Sequence, residues 1–134
     1  MSKGNTAEND ILKMVLKGTD PSWRGNANRY IALHTADPGE AGSQTTSECA
    51  YTSYARVAIP VADWTDGGSS FTNSALVQLP QCTGGSETIT HFSIGTLSSG
   101  AGQILYKGAL SASLAVSNLI QPQFAIGAIT VTED

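Results

Sequence analysis

Charged residues are scarce in this chain of 134 residues: they make up 13% of it, against roughly 25% in a typical soluble domain. The apolar content of 40% excludes a solvated, disordered chain, which needs more charge and less apolar surface. The seven Lys and Arg residues are scattered and the net charge is −4, so no basic cluster is present to bind phosphates. We therefore expect an ordered protein that does not bind nucleic acid.

Long hydrophobic runs are also missing, and so are cysteines at the spacings that metal-binding motifs have. The apolar stretch at residues 11–16 is interrupted by Lys13, which makes it too short and too polar for a signal peptide or a membrane span. Cys49 and Cys82 lie far apart, and we expect two free thiols unless the protein later meets an oxidising environment. The chain is predicted to be one domain over residues 1–134, made and retained in a cytoplasm without membrane contact.

The N-terminal residues 1–18 are predicted to form a helical arm. Thr6 is a suitable N-cap, and Gly18 offers a left-handed stop. An apolar stripe at helical spacing predicts that the helix docks on something. The stripe packs either on an open end of the domain that the rest of the chain forms, which we favour, or on a neighbouring subunit. The candidate partner-binding residues on this stripe are Ile11, Leu12, Val15 and Leu16.

Short β-type segments occupy most of the remaining chain, with turn signals about every 8–12 residues, as in β-sandwiches and barrels. The segments lie at residues 30–35, 54–61, 75–79, 88–94, 104–106, 110–116, 123–126 and 128–131. Pro60 indicates an edge strand or a strand end. We predict an all-β fold: a jelly-roll-like β-sandwich of roughly eight short strands with one N-terminal α-helix.

Residues 37–47 form a long segment without periodicity, rich in Gly, Ser, Thr and Gln. Loops of this length inside a compact domain are usually functional or ordered by a partner. The sequence therefore predicts a partner-binding loop. Its candidate contact residues are Asp37, Pro38, Glu40, Gln44 and Thr45.

Catalytic and metal sites have no positive support in the sequence. His34 and His91 lie in predicted strands, where strand-end histidines that bond a neighbouring loop are favoured over metal ligands. No nucleophile motif or phosphate-binding loop is present. We expect no enzymatic activity, no catalytic or metal-binding residues and no cofactor.

The aromatic residues allow two interpretations. They could form a platform for carbohydrate, or they could supply core and interface area, which we favour. The set comprises Trp23, Tyr30, Tyr51, Tyr54, Trp64 and Tyr106.

Several strings resemble a family of small tailed-bacteriophage virion structural proteins, which include capsid cement or decoration proteins and are often labelled tail fibre proteins. The longest is LHTADPGEAG at residues 33–42. The others are MSKGNT at 1–6, END at 8–10, TTSE at 45–48, YT at 51–52, YARV at 54–57, GGSET at 84–88, THF at 90–92, SGAG at 99–102, LY at 105–106 and TVTED at 130–134. The resemblance therefore spans nearly the whole chain. Cys49 and Cys82 depart from it, because small or apolar residues are usual there.

The resemblance implies a role in the virion, with two alternatives. A cement protein would lie on the outer surface of the capsid, bridge subunits of the major capsid protein and form a homo-oligomer, with a dimer favoured. A tail or tail-fibre component would take part in host attachment. Because the sequence contains neither heptads nor repeats that would build a shaft, we favour the cement protein.

Overall fold

Ten strands and one helix lie within residues 1–133, the part of the chain that this computed structural model describes. Helix α1 spans Asn5–Lys17. The strands are β1 (Ser2–Lys3), β2 (Asn28–His34), β3 (Val57–Pro60), β4 (Trp64–Asp66), β5 (Ser70–Asn73), β6 (Val77–Gln78), β7 (Glu87–Gly95), β8 (Ile104–Val116), β9 (Gln123–Phe124) and β10 (Thr130–Thr132). The predicted all-β class with one N-terminal helix is confirmed.

Antiparallel pairing arranges these strands in three sheets that form a sandwich-like fold. Their strand orders are β1-β8-β7-β2-β3, β10-β5-β4 and β6-β9. Strand β3 lies at an edge of the five-stranded sheet, which is where Pro60 is tolerated, as the sequence predicts. Three strands were not predicted: β1, β4 and β5. Each has two to four residues, which is too short for a periodic pattern to show.

Both faces of β2 are covered. On one face Ile31 lies opposite Ile94 and Leu33 opposite Phe92, and these four side chains belong to the main hydrophobic core. On the other face His34 is fully buried, because loop 37–47 folds back over it. Burying an aliphatic or aromatic side chain of this size contributes roughly 1.5–3 kcal/mol. The core therefore anchors the strand, and the loop closes its second face.

A bulge between β7 and β8 changes the predicted pattern of faces. The register pairs Ile89 with Leu114 and His91 with Ala109, so residues 110–113 lie opposite Thr90 alone. Ile89 therefore joins Phe92 in the core, although simple alternation predicts opposite faces for them. The bulge lies within one continuous strand, and this corrects the prediction of separate strands at 104–106 and 110–116.

Helix α1 begins two residues earlier than the predicted cap, Thr6, allows. Its N-cap is Gly4, which has an extended backbone and no side chain to accept a capping bond. The amide of Gly4 donates to the carbonyl oxygen of Leu105, and a Cβ at this position would lie 2.5 Å from the carbonyl oxygen of Ile104. Close packing on β8 therefore sets the start of the helix. The predicted stop is confirmed: Gly18 has φ +63° and closes the helix on Lys13.

Candidate functional site

A buried ion pair ties the end of loop 37–47 to the turn between β7 and β8. Arg56 donates from Nε and Nη2 to the two carboxylate oxygens of Glu48, at 2.7 and 2.8 Å. The side chains are 3% and 15% exposed respectively. Arg56 also donates to the carbonyl oxygens of Leu97 and Gly100. Tyr54 donates its hydroxyl to Glu48, so every charge in this cluster is paired.

His34 is used inside the fold. Its Nδ1 lies 2.8 Å from the carbonyl oxygen of Thr46, and its Nε2 lies 2.8 Å from the hydroxyl of Ser93. Burial lowers the pKa of the imidazole. The favoured interpretation, a strand-end histidine that bonds a neighbouring loop, is thereby confirmed for His34. His91 lies opposite His34 in the sheet and bonds the Thr90 hydroxyl through Nδ1.

Gln44 does not offer its side chain to a partner. It is completely buried, against the expectation that it contacts another protein. Its Oε1 accepts from the backbone amides of Thr96 and Leu97, and its Nε2 donates to the carbonyl oxygen of Leu97. The side chain also packs over Gly95, where a Cβ would lie 2.1 Å from the Gln44 amide carbon. Gln44 therefore holds the loop on the sheet.

The other predicted loop residues divide between surface and interior. Asp37, Glu40 and Thr45 are exposed, whereas Pro38 is buried. The Asp37 carboxylate accepts from the Gly39 amide and pairs with Lys107 at 3.0 Å. These two bonds hold the pKa of Asp37 below its usual range, the Gly39 bond most strongly. The loop thus presents three polar side chains on a backbone that the fold already fixes.

Helix α1 is docked along only part of its apolar stripe. Ala7 is buried and Ile11 is half-buried. Leu12, Val15 and Leu16 are 58%, 69% and 76% exposed. We call these three residues the helix patch. The start of the stripe therefore packs on the β domain, as favoured, and its end is left uncovered.

An apolar cleft of about 440 Å³ lies beside the helix. Ala7 and Ile11 of α1 form one side, and residues of β2, β4, β5, β7, β8 and β10 and of the adjoining loops form the rest. Trp23 and Trp64 both line it. Arg29 and Phe71 also line it, and sequence reasoning missed both, because only the tertiary fold brings them to the tryptophans.

The predicted aromatic set is divided between core and cleft. Tyr51 is 3% exposed and belongs to the core, and Tyr54 packs against it. Trp23, Trp64 and Tyr106 line the cleft. Trp64 and Tyr106 also pack against the core, so the favoured interpretation, core packing, accounts for most of the set.

Other chemical features of the described residues are few. Across residues 1–133, no group of three or more His, Cys, Asp and Glu side chains is placed to hold a metal ion. No helix in that range is long and apolar enough to cross a membrane. Cys49 and Cys82 are free and buried, as predicted, and burial raises the pKa of the Cys49 thiol. Such a thiol is unreactive at neutral pH.

Apolar side chains that stay uncovered on a small β domain are typical of a surface that contacts another molecule. A family model described as podophage GP4 fiber I protein gp80 matches residues 2–132. The chain belongs to this family, and it is a bacteriophage virion structural protein. The predicted resemblance is thereby confirmed. No curated protein matches the chain.

Proposed function

We propose that this virion protein is a capsid cement, or decoration, protein that stabilises the head shell by bridging subunits of the major capsid protein on its outer surface. The observation that carries the proposal is the helix patch, an uncovered apolar surface on a small β domain. Exposed apolar patches of this kind are typical of protein contact sites. Neither catalysis, nor a cofactor, nor binding to nucleic acid or membrane forms part of the proposed role.

The size of the helix patch favours a protein partner. Leu12, Val15 and Leu16 fall at spacings of three and four, so they share one face of α1. Burying such side chains fully contributes roughly 1.5–3 kcal/mol each. A contact of this size is weak alone. Many copies on one shell would together stabilise it, because the binding free energies of multivalent contacts combine.

Loop 37–47 provides a second, polar contact surface. Its exposed residues, Asp37, Glu40 and Thr45, are carried on a backbone held by Gln44 and by the Thr46 carbonyl bond to His34. A loop that is ordered before binding loses less entropy on contact than a flexible one. This preorganisation suits a protein that binds the repeated subunits of a shell through small contacts.

The helix patch also favours a homodimer. Leu12, Val15 and Leu16 are exposed on one face of α1, so two copies would bury these side chains against each other. Such an isologous contact matches the two-fold symmetry of most small oligomers. A dimer on two-fold positions of the shell would bridge neighbouring capsid subunits.

The alternative function is a tail or tail-fibre component that takes part in host attachment. The observation in its favour is the description of the family, which names a fibre protein. Against it, helix α1 has 13 residues, and no other helix occurs within residues 1–133. A coiled-coil shaft needs longer helices with heptads. We therefore place this alternative second.

Immunogold electron microscopy of intact particles tests the two roles directly. Antibody against this protein should label the head, and particles lacking the protein should assemble but release their DNA at a lower temperature. Host adsorption of those particles should remain normal. Gold confined to the tail, together with lost adsorption, would overturn the cement role and support the fibre role.

A further inference from the structure

The cleft beside helix α1 has the dimensions and the composition of a ligand site. Its volume is about 440 Å³, which falls in the range of roughly 300–1,000 Å³ typical of small-molecule pockets. Phe71 is 43% exposed at its rim and Val61 is 50% exposed. Large apolar side chains at that exposure gain free energy when a ligand covers them.

The indole of Trp23 is fixed in place on one side of the cleft. Its Nε1 donates to Asp10 Oδ2 at 2.9 Å, and Gln103 Nε2 donates to the same oxygen at 3.0 Å. These two bonds lower the pKa of Asp10, the Gln103 bond most strongly, and so keep the acceptor charged. A preorganised aromatic face loses little entropy when a ligand stacks on it.

Arg29 is the cleft residue whose charge is unmatched by a carboxylate. Its guanidinium carbon lies 5.4 Å from the centre of the Trp23 ring. Its Nη1 donates to the carbonyl oxygens of Asn26 and Asn28, at 3.1 Å each. No ion pair joins Arg29 to a carboxylate within residues 1–133, whereas Arg24 and Arg56 each have one.

The unmatched charge points to an anionic ligand. Burial lowers the pKa of Arg29, but an arginine still carries its charge at neutral pH. The guanidinium is planar and matches a carboxylate through two parallel bonds. The carboxylate of Glu133, which also lines the cleft, is already engaged by Lys3 and by the Tyr106 hydroxyl. Arg29 is therefore the group in the cleft that would attract a ligand anion.

We propose that this cleft binds an acidic pyranose of the uronic-acid type, with its ring face against the indoles of Trp23 and Trp64 and its carboxylate on Arg29. The carbon-bound hydrogens of a pyranose make one face apolar, which suits an aromatic wall. The hydroxyls of Ser69, Ser70 and Thr132 lie around the cleft and can bond the sugar hydroxyls. The inference is independent of the cement role, because the cleft is the same whether the protein lies on the head or on the tail.

Binding of a matched pair of sugars tests this inference. Methyl β-glucuronide and methyl β-glucoside differ in the carboxylate that Arg29 would recognise. The two tryptophans of the chain both line the cleft, so intrinsic fluorescence reports its occupancy. We expect the glucuronide to bind in the millimolar range and about tenfold more tightly than the glucoside, as one charge-assisted contact would give.

Four variants locate the binding. R29M should weaken glucuronide binding about tenfold and leave glucoside binding unchanged, while F71S should weaken both. R24M, which breaks an exposed pair outside the cleft, should change neither. Thermal unfolding checks that R29M is folded, and R29K, which keeps the charge without the planar fork, provides a second test. Equal affinity for the two sugars, no quenching below about 10 mM, or tighter binding of a Glu-rich peptide than of glucuronide would each overturn the proposal.

Discussion

Around Glu48 and Arg56 the polar side chains are buried and bonded, whereas along helix α1 and its cleft the apolar side chains are exposed. The first region, which we call the polar cluster, comprises Glu48, Arg56, Tyr54, His34 and Gln44. Within residues 1–133, no buried side-chain nitrogen or oxygen lacks a hydrogen-bond partner. The second region leaves Leu16 76% and Phe71 43% exposed. One region stabilises the fold, and the other is available for contact.

Three of the strings that resemble the phage family lie in the polar cluster. LHTADPGEAG contains His34, TTSE contains Glu48, and YARV contains Tyr54 and Arg56. These residues close the turn after β2 and hold the β7–β8 turn beside it. The strings LY and TVTED instead supply residues that line the cleft, so the resemblance to the family extends to both regions.

The largest effect is expected from R56M. This change removes one partner of the buried pair and leaves the Glu48 carboxylate buried without its cation, which costs about 3–5 kcal/mol of unfolding free energy. Chemical denaturation followed by circular dichroism measures it. The matched control is R24M, whose pair with Asp20 is more than half exposed and should change stability by less than about 0.5 kcal/mol.

A double variant shows whether the cost of R56M is the unpaired charge. Adding E48Q to R56M removes that charge, so part of the lost stability should return. If R56M unfolds with the same free energy as the unmodified protein, the polar cluster does not stabilise the fold. The contrast between the two regions would then be incorrect.

Q44A should have the second-largest effect. It leaves the backbone amides of Thr96 and Leu97 without their acceptor inside the fold, at a cost of about 2 kcal/mol. Denaturant titration measures the change. T45A is the control: the neighbouring side chain is exposed, so its loss should stay within about 0.5 kcal/mol. Equal effects of the two substitutions would mean that Gln44 does not pin the loop.

Local patterns predicted much of the fold, because they depend on near neighbours. The strand around Ile31, the helix stop at Gly18 and the edge position of Pro60 all follow from short-range preferences, and all are confirmed. The bulge opposite Thr90 was not predicted, since it depends on the pairing of two strands and leaves no periodic signal.

The surface chemistry was harder to predict for a related reason. Gln44 looks like an ordinary loop residue, but the backbone amides that donate to its side chain lie 52 and 53 residues further along the chain. Arg29 and Phe71 are far apart in sequence and meet only in the folded cleft. The apolar stripe of α1 was predicted, yet periodicity alone does not show which of its residues pack on the β domain. Tertiary contacts decide each of these points.

A smaller, pH-dependent effect is expected from His34. Burial lowers its folded pKa, so the unfolded chain takes up the proton first as the pH falls below about 6.5. Unfolding free energy should therefore decline by at most about 1.4 kcal/mol per pH unit until the folded pKa is reached. H34Q should flatten this decline in urea titrations between about pH 6.5 and 5. An unchanged slope in H34Q would contradict a buried, neutral His34.

Asp37 provides the comparison for that measurement. Its pKa is lowered by the Gly39 amide and by Lys107. Its contribution to the free energy of unfolding is therefore present above the unfolded pKa of about 3.9, and it is lost as the pH falls through the folded pKa. D37N should therefore alter stability above about pH 4 and leave the slope near pH 6 unchanged. The two variants separate the histidine from the carboxylate.

The smallest effect on stability is expected from the helix patch. L12Q and L16Q replace side chains that are already 58% and 76% exposed, so unfolding free energy should change by less than about 0.5 kcal/mol. If α1 pairs with a second copy, the same changes should shift sedimentation from dimer towards monomer, because the polar amides cannot fill an apolar contact. L76Q is a matched control, since Leu76 is 49% exposed and lies outside the helix. Monomeric sedimentation of the unmodified protein at high concentration would exclude the dimer. Dimers that L12Q and L16Q leave intact would place the self-contact elsewhere on the surface.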